Sequence, residues 1–296
     1  DDEMSPTINV STQELNELKN ASYQPQSEEI TGKLILSGNV TLLNPDDCGD
    51  FCTAVSTTPG EIVVVEGGSL TCPDRVKFLP QNTDNGRGAL AIEGGVISGG
   101  WIYFNVGKNQ QFNLRVDGGR FETGVCPWTG YNDRRANFQL VQTGGTFAPS
   151  TLQPINAGSY LGGSSSAYTF KGGVFEPPAG WLAAYPWLPI TVPAEGDATM
   201  KIVRDALIPS AVTVAADARL TLESTAAAHT LTLASFSCAG TLRATGNTPA
   251  RLSFASAVTP AALEIDEGAT FVKAGNGTMT LQSTLDAETA AGSLAL

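Results

Sequence analysis

The sequence predicts an all-β protein: a right-handed single-stranded parallel β-helix, or β-solenoid, with a short N-terminal capping helix. The main observation is a Gly-Gly pair that recurs at nearly constant intervals and is followed two positions later by an apolar residue. A period in the range of these intervals is typical of solenoids, in which each turn buries its apolar side against the next turn. The pairs are Gly67-Gly68, Gly94-Gly95, Gly118-Gly119, Gly144-Gly145 and Gly172-Gly173.

Short segments rich in β-branched and aromatic residues lie between the Gly-Gly pairs and support the same fold. Each is bounded by Gly, Asn, Asp or Pro, which favours strands joined by tight corners. Glycine suits those corners because it accepts positive φ without steric cost. No segment after residue 30 has convincing helical periodicity. The right-handed sense follows from the general preference of parallel crossover connections.

The first 30 residues differ from the rest of the chain. Ser11-Thr12-Gln13-Glu14 has the form of a capping box and precedes Leu15 and Leu18, which predicts one short helix. An amphipathic helix at this place would cover the apolar end of the first turn and protect its edge. We therefore assign residues 1–30 to an N-terminal segment with a capping helix.

Composition divides the remaining chain into three parts. Residues 31–175 hold the Gly-Gly corners and form the first predicted solenoid section. Residues 176–193 contain five prolines and three large aromatic residues, which indicates an insertion or a junction. Residues 194–296 are rich in Ala and Thr, lack Gly-Gly pairs and form a second section with different corners.

The negative net charge limits which binding partners are expected for the chain. The net charge is −12, and the first 50 residues carry ten acidic and two basic residues. Without a basic patch, nucleic acids and anionic membrane surfaces are not expected partners. No apolar run approaches the roughly 20 residues of a membrane-spanning helix, so insertion of this segment into a membrane is not expected.

In a chain exported to an oxidising compartment, cysteines can pair as disulfides. Cys48, Cys52, Cys72 and Cys126 are candidates for two disulfides. A zinc site is the competing interpretation because Cys48 and Cys52 are closely spaced, but the sequence has one histidine and no second close Cys pair. We therefore expect neither a metal nor a cofactor. Cys238 lies in an apolar run and is predicted to be a buried thiol.

Two groups of residues are candidate binding sites. Trp181, Tyr185 and Trp187 lie in the Pro-rich interruption and are candidates for stacking on sugar rings, since loops of solenoids commonly carry recognition. The alternative is that they pack a junction between the two sections. Arg134 and Arg135 are candidates for binding a sugar acid or phosphate, and the alternative is a solvated loop.

One segment resembles a known repeat. Residues 269–281, with the sequence ATFVKAGNGTMTL, resemble the autotransporter-associated β-strand repeat, whose core is Lys-x-Gly-x-Gly-Thr. The match covers these thirteen residues, and the preceding residues 263–268 also resemble the strand that usually leads into the repeat. The resemblance implies a passenger domain of a bacterial protein that is secreted to the extracellular or outer-membrane surface. Such passenger domains are right-handed parallel β-helices.

These observations favour a non-enzymatic bacterial surface or passenger β-helix that acts as an adhesin or structural spacer, with glycans or cell-surface proteins as partners. One alternative is a carbohydrate-active β-helix, either a polysaccharide-binding module or a glycoside hydrolase or lyase. Asn82-Thr83-Asp84 and Asp46-Asp47 resemble elements of polygalacturonases, but their order is reversed and the expected Gly-His-Gly is missing. No catalytic residue is therefore predicted. Another alternative is a phage or capsule-associated fibre component.

Overall fold

The computed structural model describes residues 16–18, 21–23, 29–30, 33–42, 53–57, 61–80, 87–105, 111–128, 137–153, 165–181, 186–225, 227–282 and 293–295. These residues contain strands and connecting turns and no helix. The predicted β-solenoid is confirmed, since parallel sheets coil along the chain. The right-handed sense stays a prediction.

The strands are mostly short. In chain order they are β1 Asn16–Leu18, β2 Ala21–Tyr23, β3 Glu29–Ile30, β4 Lys33–Leu36, β5 Asn39–Leu42, β6 Thr53–Thr57, β7 Glu61–Val64, β8 Ser69–Pro80, β9 Arg87–Ile92, β10 Val96–Asn105, β11 Gln111–Val116, β12 Arg120–Phe121, β13 Gly124–Trp128, β14 Phe138–Gln142, β15 Thr146–Phe147 and β16 Thr151–Leu152. They continue with β17 Ala167–Phe170, β18 Gly172–Phe175, β19 Gly180–Trp181, β20 Ile190–Val192, β21 Asp197–Lys201, β22 Ala206–Val214, β23 Arg219–Glu223, β24 Thr230–Cys238, β25 Thr241–Thr245, β26 Ala250–Phe254, β27 Ala257–Val258, β28 Ala262–Ile265, β29 Thr270–Ala274, β30 Thr278–Met279 and β31 Ser293–Ala295.

The chain forms two compact units. Unit 1 comprises Asp1–Val141 and Pro149–Ser166, and unit 2 comprises Gln142–Ala148 and Ala167–Leu296. The predicted division at residues 176–193 stays a prediction.

Unit 1 contains two stacks of parallel strands. Its first sheet has the order β1-β4-β7-β9-β11, and its second sheet pairs β5, β8, β10, β13 and β16 in turn. In the first sheet Lys33 lies opposite Glu61, Glu61 opposite Ala89, and Ala89 opposite Asn113. The first two of these turns are therefore equal in length, and the third is shorter.

Unit 2 repeats this arrangement with shorter turns. Its first sheet has the order β17-β20-β22-β24-β26-β29-β31, and its second sheet the order β15-β18-β21-β23-β25-β28. Asp197 lies opposite Arg219, Arg219 opposite Thr241, and Thr241 opposite Ala262. Each of these three turns is shorter than any of the three in unit 1.

Alternate residues of the strands fill the interior of each unit. In unit 1 the fully buried ring of Phe104 lies 4.6 Å from Phe112, 5.0 Å from Phe138 and 6.1 Å from Phe78, measured between ring centroids. In unit 2 the buried rings of Phe147 and Tyr168, from successive turns, lie 5.8 Å apart between centroids. Rings from successive turns thus form columns, and burial of their apolar area is the main stabilising contribution.

Four of the five Gly-Gly pairs lie in turns between strands, as predicted, and the fifth, Gly172-Gly173, begins strand β18. One glycine of each pair has positive φ, and the five are Gly67, Gly95, Gly119, Gly145 and Gly173 with φ between 58° and 83°. The corners also stack within each unit. A Cβ atom on Gly95 would overlap the carbonyl oxygen of Gly68, one turn earlier, and a Cβ atom on Gly173 would overlap that of Gly144. Glycine is therefore required both by the backbone conformation and by close contact with the preceding turn.

The predicted N-terminal capping helix is not confirmed. Asn16–Leu18 is a strand and pairs in parallel with β4, with Asn16 opposite Leu34 and Leu18 opposite Leu36. In these three residues, parallel pairing with β4 outweighs local helical propensity. Ser11–Leu15 lie outside the described residues.

Candidate functional site

The two tryptophans of the predicted glycan site are buried. Trp181 is 5% exposed and packs edge to face on Phe175, with centroids 6.3 Å apart, and Trp187 is 3% exposed. A sugar can stack only on an accessible ring face, so this burial favours the packing alternative for both residues. Tyr185 lies outside the described residues. Glycan binding by this segment stays a prediction.

Several other predicted residues also lie outside the described part of the chain. They are Cys48, Cys52, Arg134, Arg135 and the polygalacturonase-like segments at 46–47 and 82–84. Their predicted roles are unchanged by the structure.

The structure does not support a disulfide at Cys72 or Cys126. Both residues are free and buried thiols, as is Cys238, whose predicted burial is confirmed. Burial raises the pKa of Cys72 and of Cys126 to about 12, and that of Cys238 to about 11. The three thiols are therefore protonated at neutral pH and lack the nucleophilic thiolate form.

The outer face of the first sheet in unit 1 carries a charged cluster around Arg115. The guanidinium lies 3.3 Å from Glu61, 2.8 Å from Glu93 and 2.6 Å from Asp117. Glu93 also lies 3.6 Å from Lys33. These residues come from successive turns, so the cluster joins turns through their outward side chains. All are partly exposed, and each ion pair is therefore worth at most about 1 kcal/mol.

Amide side chains continue this bonding between turns along the same face. Arg87 donates from Nη1 to Oε1 of Gln111 at 2.9 Å, and Gln111 donates to Asn113 at 2.6 Å. On the next turn Asn137 donates to Gln111 at 3.3 Å, and Gln139 donates to Asn137 at 2.6 Å. The repeated turns thus use their outward polar groups mainly to bond one another.

The second sheet of unit 2 has an outer surface that we call the ionic face. Arg243 forms a bidentate pair with Asp266 at 2.7 and 2.9 Å, and this bond holds the pKa of Asp266 below its usual value. Further ion pairs join Lys201 to Glu223 at 3.2 Å and place Arg219 between acidic groups. The charged residues of strands β21, β23, β25 and β28 are Asp197, Lys201, Arg219, Glu223, Arg243 and Glu264.

The first sheet of unit 2 has a different outer surface, which we call the hydroxyl face. Thr169 lies opposite Thr191, Thr191 opposite Thr213, and Thr213 opposite Ser237, so four hydroxyl residues form one column across β17, β20, β22 and β24. These four strands contain no charged residue. Thr191, Thr213 and Ser237 are exposed, as are Ala211 and Ser235, which lie opposite each other in the neighbouring column.

Sequence reasoning missed the hydroxyl face, although a signal for it existed. Thr169, Thr191 and Thr213 recur at an equal spacing, which is the length of one turn in this part of unit 2. The period becomes visible only when the turn length is known, because the Gly-Gly intervals of the earlier turns are longer.

The segment that resembles the autotransporter repeat forms a tight corner. Strand β29 ends at Ala274, and Gly275 follows with φ of 75°. The ammonium group of Lys273 donates to the Gly275 carbonyl at 2.6 Å and lies 5.2 Å from the ring centroid of Phe254 on the preceding turn. A Cβ atom on Gly277 would also meet the Phe254 ring, at 2.8 Å. The Lys-x-Gly-x-Gly pattern therefore has a structural role here, which is to close the corner over an aromatic ring.

The described residues contain no group of three or more His, Cys, Asp or Glu side chains that could hold a metal ion. They also include no helix long and apolar enough to cross a membrane. No protein-family model matches the chain, and neither does any curated protein or any solved structure. The fold defines a β-solenoid protein, and its function has to be inferred from the surfaces of that solenoid.

Proposed function

We propose that the chain is a non-enzymatic, exported bacterial surface protein, or the passenger part of one, that acts as an adhesin or structural spacer. One observation carries the proposal: outward polar side chains of successive turns bond one another. Arg115 contacts acidic groups of other turns, and Arg243 contacts Asp266 one turn further. Such bonding stiffens a repeat array, which is what a spacer requires.

Two further features support this function. The repeat-like segment at 269–281 resembles those of secreted passenger domains and forms a close-packed corner. In addition, the thiols of Cys72, Cys126 and Cys238 are buried and protonated, so these residues have no nucleophilic role at neutral pH.

Surface location can be tested on intact bacteria that produce the complete natural gene product. Brief treatment of whole cells with a protease is expected to release peptides of this chain into the medium. A cytosolic enzyme of the same cells serves as the control and must stay intact. Recovery of the chain only after cell lysis, with no released peptide, would contradict surface exposure.

A further inference from the structure

The hydroxyl face has the chemistry of a binding surface that no other part of the described chain shares. Its column of Thr169, Thr191, Thr213 and Ser237 repeats once per strand, and strands of a sheet lie about 4.8 Å apart. Thr191, Thr213 and Ser237 have no side-chain hydrogen-bond partner among the described residues, which leaves their hydroxyl groups available to a ligand.

The threonine side chains of this column are ordered before a ligand binds. The β-branched side chain of threonine is restricted at χ1, and in a strand it stands away from the sheet. Each threonine therefore presents a methyl group and a hydroxyl group at a defined position. Beneath them Tyr168, Val192 and Val214 are buried and hold the backbone in place.

The absence of charge narrows the class of ligand. The ionic face of the same unit carries six charged residues on four strands, whereas the strands of the hydroxyl face carry none. A charged polymer would gain no ion pair here. A sugar polymer would find no aromatic ring, since Tyr168, Phe170 and Phe236 are buried in the core.

The size of the surface argues against a second copy of the chain as the ligand. Four strands about 4.8 Å apart cover on the order of 100–200 Å², since β20 has one outward position, Thr191, and the other three strands have two or more. A stable dimer buries about 800 Å² on each partner. A repeating, uncharged lattice is a ligand that such a small surface can contact, because each molecule of the chain binds to it independently of its neighbours.

We propose that the hydroxyl face binds ice. Water molecules on an ice surface form a flat, uncharged lattice of hydrogen-bond donors and acceptors whose repeat is close to the spacing of neighbouring strands. Since these water molecules are already ordered, contact with a rigid row of hydroxyl and methyl groups avoids most of the entropy cost of immobilising water. This activity does not depend on the proposed surface location, and it can be measured on the purified chain.

The test is ice-affinity partitioning together with inhibition of ice recrystallisation. The wild-type chain is expected to be enriched in slowly grown ice and to keep ice crystals small. The double variant Thr191→Lys/Thr213→Lys places two charged, flexible side chains in the column. It is expected to need about tenfold more protein for the same inhibition, equivalent to about 1.4 kcal/mol.

The matched control is Thr278→Lys/Thr280→Lys, which adds the same charges at two exposed threonines outside the hydroxyl face and is expected to act like the wild type. Equal thermal unfolding curves by circular dichroism show that both variants fold. Exclusion of the wild-type chain from ice, or equal losses in both variants, would overturn the proposal. So would retention on crystalline cellulose without enrichment in ice, or a dimer that Thr213→Lys dissociates without any effect on ice.

Discussion

Gly95→Ala is expected to lower the free energy of unfolding of unit 1 by about 3–4 kcal/mol. Gly95 has φ of 64°, which costs an alanine roughly 1–2 kcal/mol. Its new Cβ would also overlap the Gly68 carbonyl oxygen and lie 2.7 Å from that of Val65. Both neighbours are backbone atoms of the preceding turn, so relief of the overlap requires separation of two turns that are hydrogen-bonded through Val96 and Gly68.

Gly67→Ala is the matched control for this substitution. Gly67 has a similar φ of 78° in the same unit, but a Cβ atom there would meet nothing within 4 Å. Its expected cost is the backbone contribution alone, about 1–2 kcal/mol. Chemical denaturation followed by tryptophan fluorescence measures both variants. Equal destabilisation would show that stacking of the corners is not what requires glycine at residue 95.

Gln142→Leu is expected to destabilise unit 2 by about 3 kcal/mol. The Gln142 side chain is fully buried, and it accepts a hydrogen bond from the Tyr168 hydroxyl. Its amide nitrogen donates to the carbonyl oxygens of Gly144, Gly145 and Val174 at 3.0–3.2 Å. Leucine has a similar volume and none of these bonds, so a buried hydroxyl and three carbonyls lose a partner.

A double-mutant cycle separates this bonding from packing. Tyr168→Phe alone is expected to cost about 1–2 kcal/mol because it leaves the Gln142 oxygen without its donor. The double variant Gln142→Leu/Tyr168→Phe is expected to cost less than the sum of the two single variants, by about 1 kcal/mol. The reason is that the Tyr168 hydroxyl, which Gln142→Leu leaves without a partner, is absent from the double variant. Strict additivity would contradict a bonded network between the two side chains.

The solenoid could be predicted from the sequence because few residues other than glycine can occupy its corners. A glycine pair with an apolar residue two positions later repeats only if the chain turns at that place in every coil. The sequence does not reveal which glycine of a pair takes positive φ. It is the first in Gly67-Gly68 and the second in Gly94-Gly95. That choice depends on contacts with the preceding turn, which a local pattern does not contain.

The N-terminal segment shows the limit of local signals. The capping box at Ser11–Glu14 and the spacing of Leu15 and Leu18 satisfy helical rules, yet Asn16–Leu18 pairs with Lys33–Leu36. Tertiary pairing decides the outcome for such short segments. The tryptophans of the Pro-rich segment also depend on tertiary packing. The sequence left two alternatives for them, stacking on sugar rings or packing of a junction, and the burial of Trp181 and Trp187 favours packing.

The hydroxyl face could not be located without the register. Thr191 and Thr213 become neighbours only because β20 pairs with the second half of β22, with Ile190 opposite Val212. An irregularity between Ile208 and Ala211 then shifts the pairing of β22 with β24 by one residue. A shift of one residue turns every side chain to the other side of a sheet, so the pattern of threonines alone does not define the surface.

Cross-linking of cysteine pairs tests the parallel register of successive turns most directly. The variant Thr191→Cys/Thr213→Cys places thiols on residues that lie directly opposite, within the Cα separation of a disulfide, and is expected to cross-link under mild oxidation. The variant Thr191→Cys/Ala211→Cys joins outward positions displaced by two residues, about 8 Å apart, and is expected to stay reduced. Mass spectrometry of tryptic peptides identifies each bridge. Preferential cross-linking of the displaced pair would contradict the parallel register of successive turns. It would then also contradict the column of hydroxyl groups and the solenoid, because both depend on that register.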